Sequence, residues 1–389
     1  MEGLREKIID NLFELLRFEM NGELFRDEKI IVELDVLPTL FKFSKRHDLS
    51  HLVGDALDKK GLLPENSEAQ KRFLNERNLA VMRYEQKRYE FTQICATLEK
   101  AKIPFMPLKG AIIQDLYPQG WMRTSCDIDI LVKQSDLDSA INCLKNDLEY
   151  TCEFIGGHDA QMYAPSGVHL ELHYTLTSND ATAQQKSIFE KVWEYEENKE
   201  TFERRMADEF FYGYFILHMA IHVKEGGCGI RPFLDLWLIK RKFSFDREKC
   251  EKFLQEIGLL TFAKEVESLA EVWFSKKEAS DLDRELEQYV LEGGVYGTVQ
   301  NRVLVKTEQK KGKFLFILSR IFLPYSQLKI IYPNLKKHPI LFPFYQVKRW
   351  FNLLNKERRE QATRELESTI NMDDEKSQSV AKLLKDLEL

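Results

Sequence analysis

The chain has 389 residues, is 43% hydrophobic and 31% charged, and carries a formal net charge of -6; that is an ordinary globular composition, and it argues against a generic polyanion binder. Six cysteines at positions 95, 126, 143, 152, 228 and 250 show no CxxC spacing, so neither a zinc ribbon nor a dithiol redox motif is expected, and reduced thiols in a cytoplasmic protein are the simplest reading. The first residues lack the apolar core of a signal peptide, and no apolar run reaches the roughly 18 residues of a membrane helix.

The length predicts two or three domains. Residues 1–77 read as an N-terminal helical region, because apolar residues recur at three and four in "IIDNLFELLRFEM" and "VLPTLFKFSKRHDLSHLVGDAL". A long helix is predicted from about Ser67 to Lys102, with no internal Gly or Pro, until Pro104 ends it and opens a short strand, "PFMPLKG".

Residues 78–200 are expected to contain an α/β core. "CDIDILV" alternates at period two and reads as a strand. "DLDSAINCLKND" reads as a helix capped by Ser135 or Asp136. "YTCEFIGG" and "AQMYAPSG" look like the arms of a hairpin, and "VHLELHYTL" alternates again. From about Gln184 the pattern turns helical, interrupted by Gly226, Gly227 and Gly229, so 201–389 is expected to be a C-terminal helical region. Residues 302–359 carry an excess of roughly ten positive charges among many aromatics. That stretch offers phosphate contacts and stacking surfaces to nucleic acid; aromatics at helical spacing, however, more often form core, and Lys and Arg a solvated face.

Side chains two apart on a strand share a face. Asp127 and Asp129 therefore project together, roughly 6–7 Å apart, while Ile128, Ile130 and Val132 point to the core. Two like charges at that distance call for a cation between them, and a hard divalent ion with oxygen ligands suits the pair. His169, Glu171 and His173 share a face in the same way. Glu171 becomes a third carboxylate if the two strands are neighbours, and three carboxylates can hold two metal ions for phosphoryl or nucleotidyl transfer. Two histidines flanking a Glu also suit zinc, and an exposed strand face is the plain alternative for His169 and His173. Lys109-Gly110 supplies a point charge and a close backbone approach to phosphate, followed by the predicted helix "AIIQDLY" with its amides toward an anion.

The order Lys-Gly, Asp-x-Asp, strand-borne Glu resembles the nucleotidyltransferase superfamily of polymerase β type. More closely, "LKG…LYP…R…DIDILV", "VHLELHY" and "LHMAIHV…GGCGIRPFLDLWL" resemble the uncharacterised bacterial nucleotidyltransferases called NTP transferase family 5, over roughly residues 30–290. The resemblance implies an α+β fold: a small mixed sheet between N-terminal helices and a larger C-terminal helical region, with the site between sheet and C-terminal helices. It implies Asp127 and Asp129 as catalytic ligands of two Mg²⁺ ions, with Mn²⁺ an alternative, and Glu171 as the third catalytic carboxylate, either a metal ligand or the base for an acceptor hydroxyl. Lys109, Gly110 and Arg123 would hold a nucleoside triphosphate. The acceptor is undefined: a small molecule, saccharide or peptide. A phosphotransferase on the same scaffold, or an inactive nucleotide-binding module, are the alternatives. One departure is Ala111, where the superfamily usually has Ser or Gly after the turn Gly.

Other residues have plainer options beside functional ones. His218 and His222 lie one turn apart on a predicted helix, where they line the cleft, pair on zinc or simply pack. Arg231 opens a helix with Asp235 one turn later; a salt bridge between them is expected, and reach to a phosphate is the alternative. Arg123 either neutralises a phosphate or forms a surface ion pair.

Overall fold

The computed structural model describes residues 2–21, 32–178, 180–197, 200–294, 322–351 and 374–389. It is an α+β structure in two units: Met1–Ile221 with Ile230–Asp283, and His222–Gly229 with Arg284–Leu389.

The first unit opens with α1 (Glu2–Asn21), α2 (Leu37–Arg46) and α3 (Ser50–Lys59), the short helices that the apolar spacing predicts. The predicted long helix is α4 (Glu68–Lys100), and the Ser67 hydroxyl caps it by accepting from the Gln70 N–H at 3.1 Å. Strand β1 (Phe105–Pro107) leads into α5 (Lys109–Ile113), and β2 (Asp127–Val132) follows. Then come α6 (Leu137–Leu148), β3 (Thr151–Ile155), β4 (Asp159–Tyr163) and β5 (His169–His173). Asp136 stands at the N-cap of α6, but neither it nor Ser135 caps with its side chain; a 3-10 turn over Gln134–Asp136 leads in instead.

The five strands form one sheet in the order β1-β2-β5-β4-β3. The β2–β5 pair is parallel and the others antiparallel. The β3–β4 hairpin is the predicted one, with a register shift between Cys152 and Phe154. One sheet face is apolar: Ile128, Ile130, Val132, Leu170 and Leu172 pack with Ile94 and Leu98 of α4 and Ala140, Ile141 and Leu144 of α6. Burying such side chains contributes about 1.5–3 kcal/mol each, and that fixes which face of β2 and β5 is left for charge.

The chain after Gln184 is not helical throughout. After α7 (Ala183–Phe189), strands β6 (Glu196–Glu197) and β7 (Arg205–Met206) pair, and the backbone of 202–204 bonds to the open edge of β1 through Phe105 N–H to Phe202 O and Arg204 N–H to Phe105 O. These strands are two residues long, too short to show a period-two signal, and the segment between them satisfies backbone groups at the edge of β1.

Helices α8 (Asp208–Lys224), α9 (Arg231–Lys242), α10 (Arg247–Glu256) and α11 (Leu260–Ser275) follow. Phe13 of α1 stacks on Trp273 of α11, and Arg17 donates to the Trp273 carbonyl at 2.7 Å. In the second unit, Tyr289 on α12 (Asp281–Gly293) donates to the Val223 carbonyl at 2.8 Å. Lys376 and Lys382 of the helix Asp374–Asp386 pair with Glu292 and Glu285, each at 2.7–2.8 Å. The helices Tyr325–Ile331 and Phe342–Phe351 also belong to this unit. Of the basic aromatic stretch, residues 302–321 and 352–359 lie outside the described residues. No described helix is long and apolar enough to cross a membrane.

Candidate active site

The parallel register places Asp127 opposite His169, Asp129 opposite Glu171, and Leu131 opposite His173. Alternation then does the rest: the residues between them go to the core, and these polar side chains share the other face. Ligand atoms of Asp127, His169 and Glu171 all lie within 4.8 Å of one another, as do those of Asp129, Glu171 and His173. The third carboxylate is therefore adjacent to the pair, on the neighbouring strand.

His173 is buried rather than exposed. Its Nε2 lies 3.1 Å from Asp129 Oδ1 and 3.4 Å from Glu171 Oε2. Burial alone would lower its pKa, but those two carboxylates push it up to about 9. Asp129 shows the reciprocal effect. Burial works against its charge, but His173, Lys109 and Arg123 hold it down to about 2. The hydrogen bond from His173 lowers Glu171 against its partial burial. Asp127 differs: burial and the charges of Asp129 and Glu171 raise it. His169 stacks on Tyr163 with ring centroids 4.6 Å apart, and its buried Nε2 has no hydrogen-bond partner among the described residues.

Lys109 is partly buried and faces the same carboxylates. Desolvation pulls its ammonium down to about 8 although Asp129 and Asp127 favour the charge, and it sits 5.3 Å from the centroid of the Tyr214 ring of α8. Gly110 is the next residue. A β-carbon there would stand 3.6 Å from Arg123 Nη1, 3.7 Å from Ser125 Oγ and 3.9 Å from Asp129 Oδ2, all ordinary contacts, and its φ is not positive. Neither packing nor backbone conformation demands glycine at this position. Helix α5 is only five residues long and passes into a 3-10 turn, Gln114–Leu116, so the expected anion-facing helix is a single turn with little dipole.

Arg123 is buried, not a surface ion pair. Its Nε and Nη2 donate to both oxygens of Asp235 at 3.0 Å each, and the Tyr117 hydroxyl donates to Asp235 Oδ1 at 2.7 Å. Asp235 therefore does not pair with Arg231. The guanidinium of Arg231 instead donates to Asp48 Oδ2 and the Thr124 carbonyl, both at 2.8 Å. One turn of α9 separates the two side chains along the sequence, but each meets a tertiary partner from the loop before β2.

That loop is pinned along its length. The Met122 carbonyl lies 2.9 Å from His51 Nε2 of α3, Thr124 Oγ1 donates to Asp48 at 2.6 Å, and Lys87 of α4 donates to the Ser125 carbonyl at 2.6 Å. Burial lowers Lys87 to about 8. Close approach of α4 explains Gly120, where a β-carbon would come 2.5 Å from the Tyr84 hydroxyl. Asp48, His51, Lys87 and Tyr117 were not flagged by the sequence, where each is a lone polar residue on an amphipathic stretch. His218 and His222 lie on α8, and neither belongs to a metal-ligand group among the described residues.

A mixed sheet that gathers three carboxylates on one face of its parallel pair, beside a Lys-Gly turn, is the arrangement that the resemblance to nucleotidyltransferases implies. Residues 37–275, well over half of the chain, match the family model described as an uncharacterised nucleotidyltransferase, and the chain belongs to that family. No curated protein and no solved structure matches the chain.

Proposed function

We propose that this protein transfers a nucleoside monophosphate from a nucleoside triphosphate to an acceptor hydroxyl or phosphate, with release of pyrophosphate. The observation that carries this reading is the register of β2 against β5, which sets Glu171 beside Asp129 and Asp127 on the face that Lys109 and Gly110 border. Acceptors of small-molecule, saccharide or peptide type all fit the chemistry.

The residues suit a divalent cation. Asp127, Asp129 and Glu171 supply hard oxygen donors whose mutual repulsion a cation relieves, and His169, whose buried Nε2 has no hydrogen-bond partner among the described residues, stands in a group with Asp127 and Glu171. Two Mg²⁺ ions, or Mn²⁺, would be held by these carboxylates and would neutralise charge on the attacking and leaving oxygens. The chain's own residues do the rest. Lys109 places a positive charge beside the triphosphate, Gly110 leaves room for a phosphate where a side chain would otherwise stand, and Arg123 presents Nη1 toward that room while its other nitrogens are fixed by Asp235. Asp127, whose carboxyl is raised by burial and by the charges of Asp129 and Glu171, is suited to accept the proton of an acceptor hydroxyl.

Product analysis with α- and γ-labelled triphosphates in the presence of Mg²⁺ tests this reading. Transfer of the α label with stoichiometric pyrophosphate is expected. Transfer of the γ label alone would identify a phosphotransferase, and triphosphate binding that ignores Mg²⁺ would identify a binding module.

A further inference from the structure

Residues 322–351 contain five lysines and arginines and no aspartate or glutamate. They also contain eight of the fifteen large hydrophobic side chains that are exposed among the described residues. The helix Phe342–Phe351 shows how this comes about, because it is turned inside out. Gln346 is 5% exposed and its amide donates to the Leu323 carbonyl, whereas Phe344, Val347 and Phe351 are 61%, 44% and 66% exposed. Spaced by three and four, these three side chains form one outward stripe. Ile340, 89% exposed, extends the stripe from the 3-10 turn Pro339–Leu341. Lys337 and Lys348 are exposed beside it. A helix that faced only water would bury the apolar stripe and expose the glutamine.

We propose that this face docks on the surface of an anionic lipid bilayer, with Phe344, Val347 and Phe351 at the acyl boundary and Lys337 and Lys348 among the headgroups. Charge complementarity selects this occupant. Five cations and no acid over residues 322–351 match a negatively charged leaflet, and an apolar stripe flanked by Lys and Arg is the pattern of a helix lying in the interface plane. The helix is ten residues long, and no described helix can cross a bilayer, so it would lie on the membrane. Nucleic acid fits less well, since Ile340 and Val347 offer no ring for a base to stack on. A second copy fits less well too, because it would bring like charges face to face. This inference does not depend on the proposed reaction.

The test is co-sedimentation of the full chain with vesicles of phosphatidylcholine alone and of phosphatidylcholine with phosphatidylglycerol. Binding is expected only to the anionic vesicles and should weaken as salt rises. Phe344→Ser with Phe351→Ser, and separately Lys337→Glu with Lys348→Glu, should each weaken it on the order of tenfold; all four side chains are exposed, so circular dichroism should report an unchanged fold. Three results would overturn the proposal: no binding to the anionic vesicles, equal binding to both kinds, or unaltered binding in both variants. So would binding of a single-stranded oligonucleotide, or dimerisation by light scattering, that the variants abolish while vesicle binding is absent.

Discussion

Two charge-dense patches lie side by side in the α+β unit, and they are wired in opposite ways. In the clamp around the loop before β2, each carboxylate meets a cation: Asp235 takes Nε and Nη2 of Arg123, and Asp48 takes Arg231. On the sheet face, Asp127, Asp129 and Glu171 crowd together, and the direct ion-pair partner among the described residues is His173. Lys109 lies near enough to influence all three, yet it rests over the ring of Tyr214 without an ion pair within 4 Å among the described residues. A patch whose charges are mutually satisfied holds structure. A patch left with repulsion on one side and cations on the other is the one on which the proposed function rests.

The largest expected effect breaks the clamp. Asp235→Asn leaves the buried guanidinium of Arg123 without its counter-charge, and loss of one partner from a buried pair costs about 3–5 kcal/mol. Denaturant unfolding should show that loss, whereas Tyr117→Phe, which removes one hydrogen bond to the same carboxylate, should cost about 1 kcal/mol. Equal stability in Asp235→Asn and the parent would mean that the clamp is not structural.

The sheet face should respond in the reverse sense. Asp129→Asn should lower nucleotidyl transfer on the order of 100- to 1000-fold, as losing one preorganised electrostatic partner does. Asp127→Asn should raise the melting temperature in the absence of divalent ions, because it relieves the repulsion that raises the Asp127 pKa. A fall in melting temperature for Asp127→Asn would place this carboxylate with the clamp rather than with the site.

A smaller effect sharpens the boundary between the two patches. Lys109→Ala should weaken triphosphate binding by about 1.5–3 kcal/mol, the range of a charged hydrogen bond. Gly110→Ala meets only ordinary contacts, so it should fold like the parent and still lose triphosphate affinity. Calorimetric titration with Mg²⁺ and a triphosphate reads both. Unchanged affinity in both variants would make the Lys-Gly turn a structural feature alone.

The sequence made the sheet face legible because period-two alternation is a strong local signal. "DIDILV" and "HLELH" declare which residues share a face, and the apolar partners of β2 and β5 settle which way that face points. That the two strands are neighbours stood in the sequence only as a condition, and their parallel pairing, which sets Glu171 beside Asp129, was not read from it. The clamp was not legible. Arg231 and Asp235 sit one turn apart on α9 and suggest each other as partners, yet their partners come from Asp48 and Arg123, 183 and 112 positions away. Local spacing cannot distinguish an intrahelical pair from two tertiary ones. β6 and β7 went unseen because two-residue strands leave no alternation to read.

A third charge cluster, between α1, α3 and α4, tests whether pairing alone makes a patch structural. Lys59 bridges Glu19 at 2.8 Å and Asp55 at 2.7 Å, and Arg77 reaches Asp55 at 3.2 Å and Asp58 at 2.8 Å. It resembles the clamp in its pairing and the sheet face in its surplus of acid. Burial pushes the carboxyl of Glu19 up to about 7 from an ordinary 4.5, against the pull of Lys59. The folded state then binds this proton more tightly than the unfolded chain. Its contribution to stability is present in full below about pH 4.5 and is lost as pH rises through 7. Glu19→Gln keeps the side chain's shape and removes the ionisation. The melting temperature of the variant, compared with the parent by calorimetry, should rise by about 2 °C or more at pH 8 and change less at pH 5. A fall at pH 8 would mean that the ion pair with Lys59 outweighs the burial of Glu19, and this cluster would then belong with the clamp.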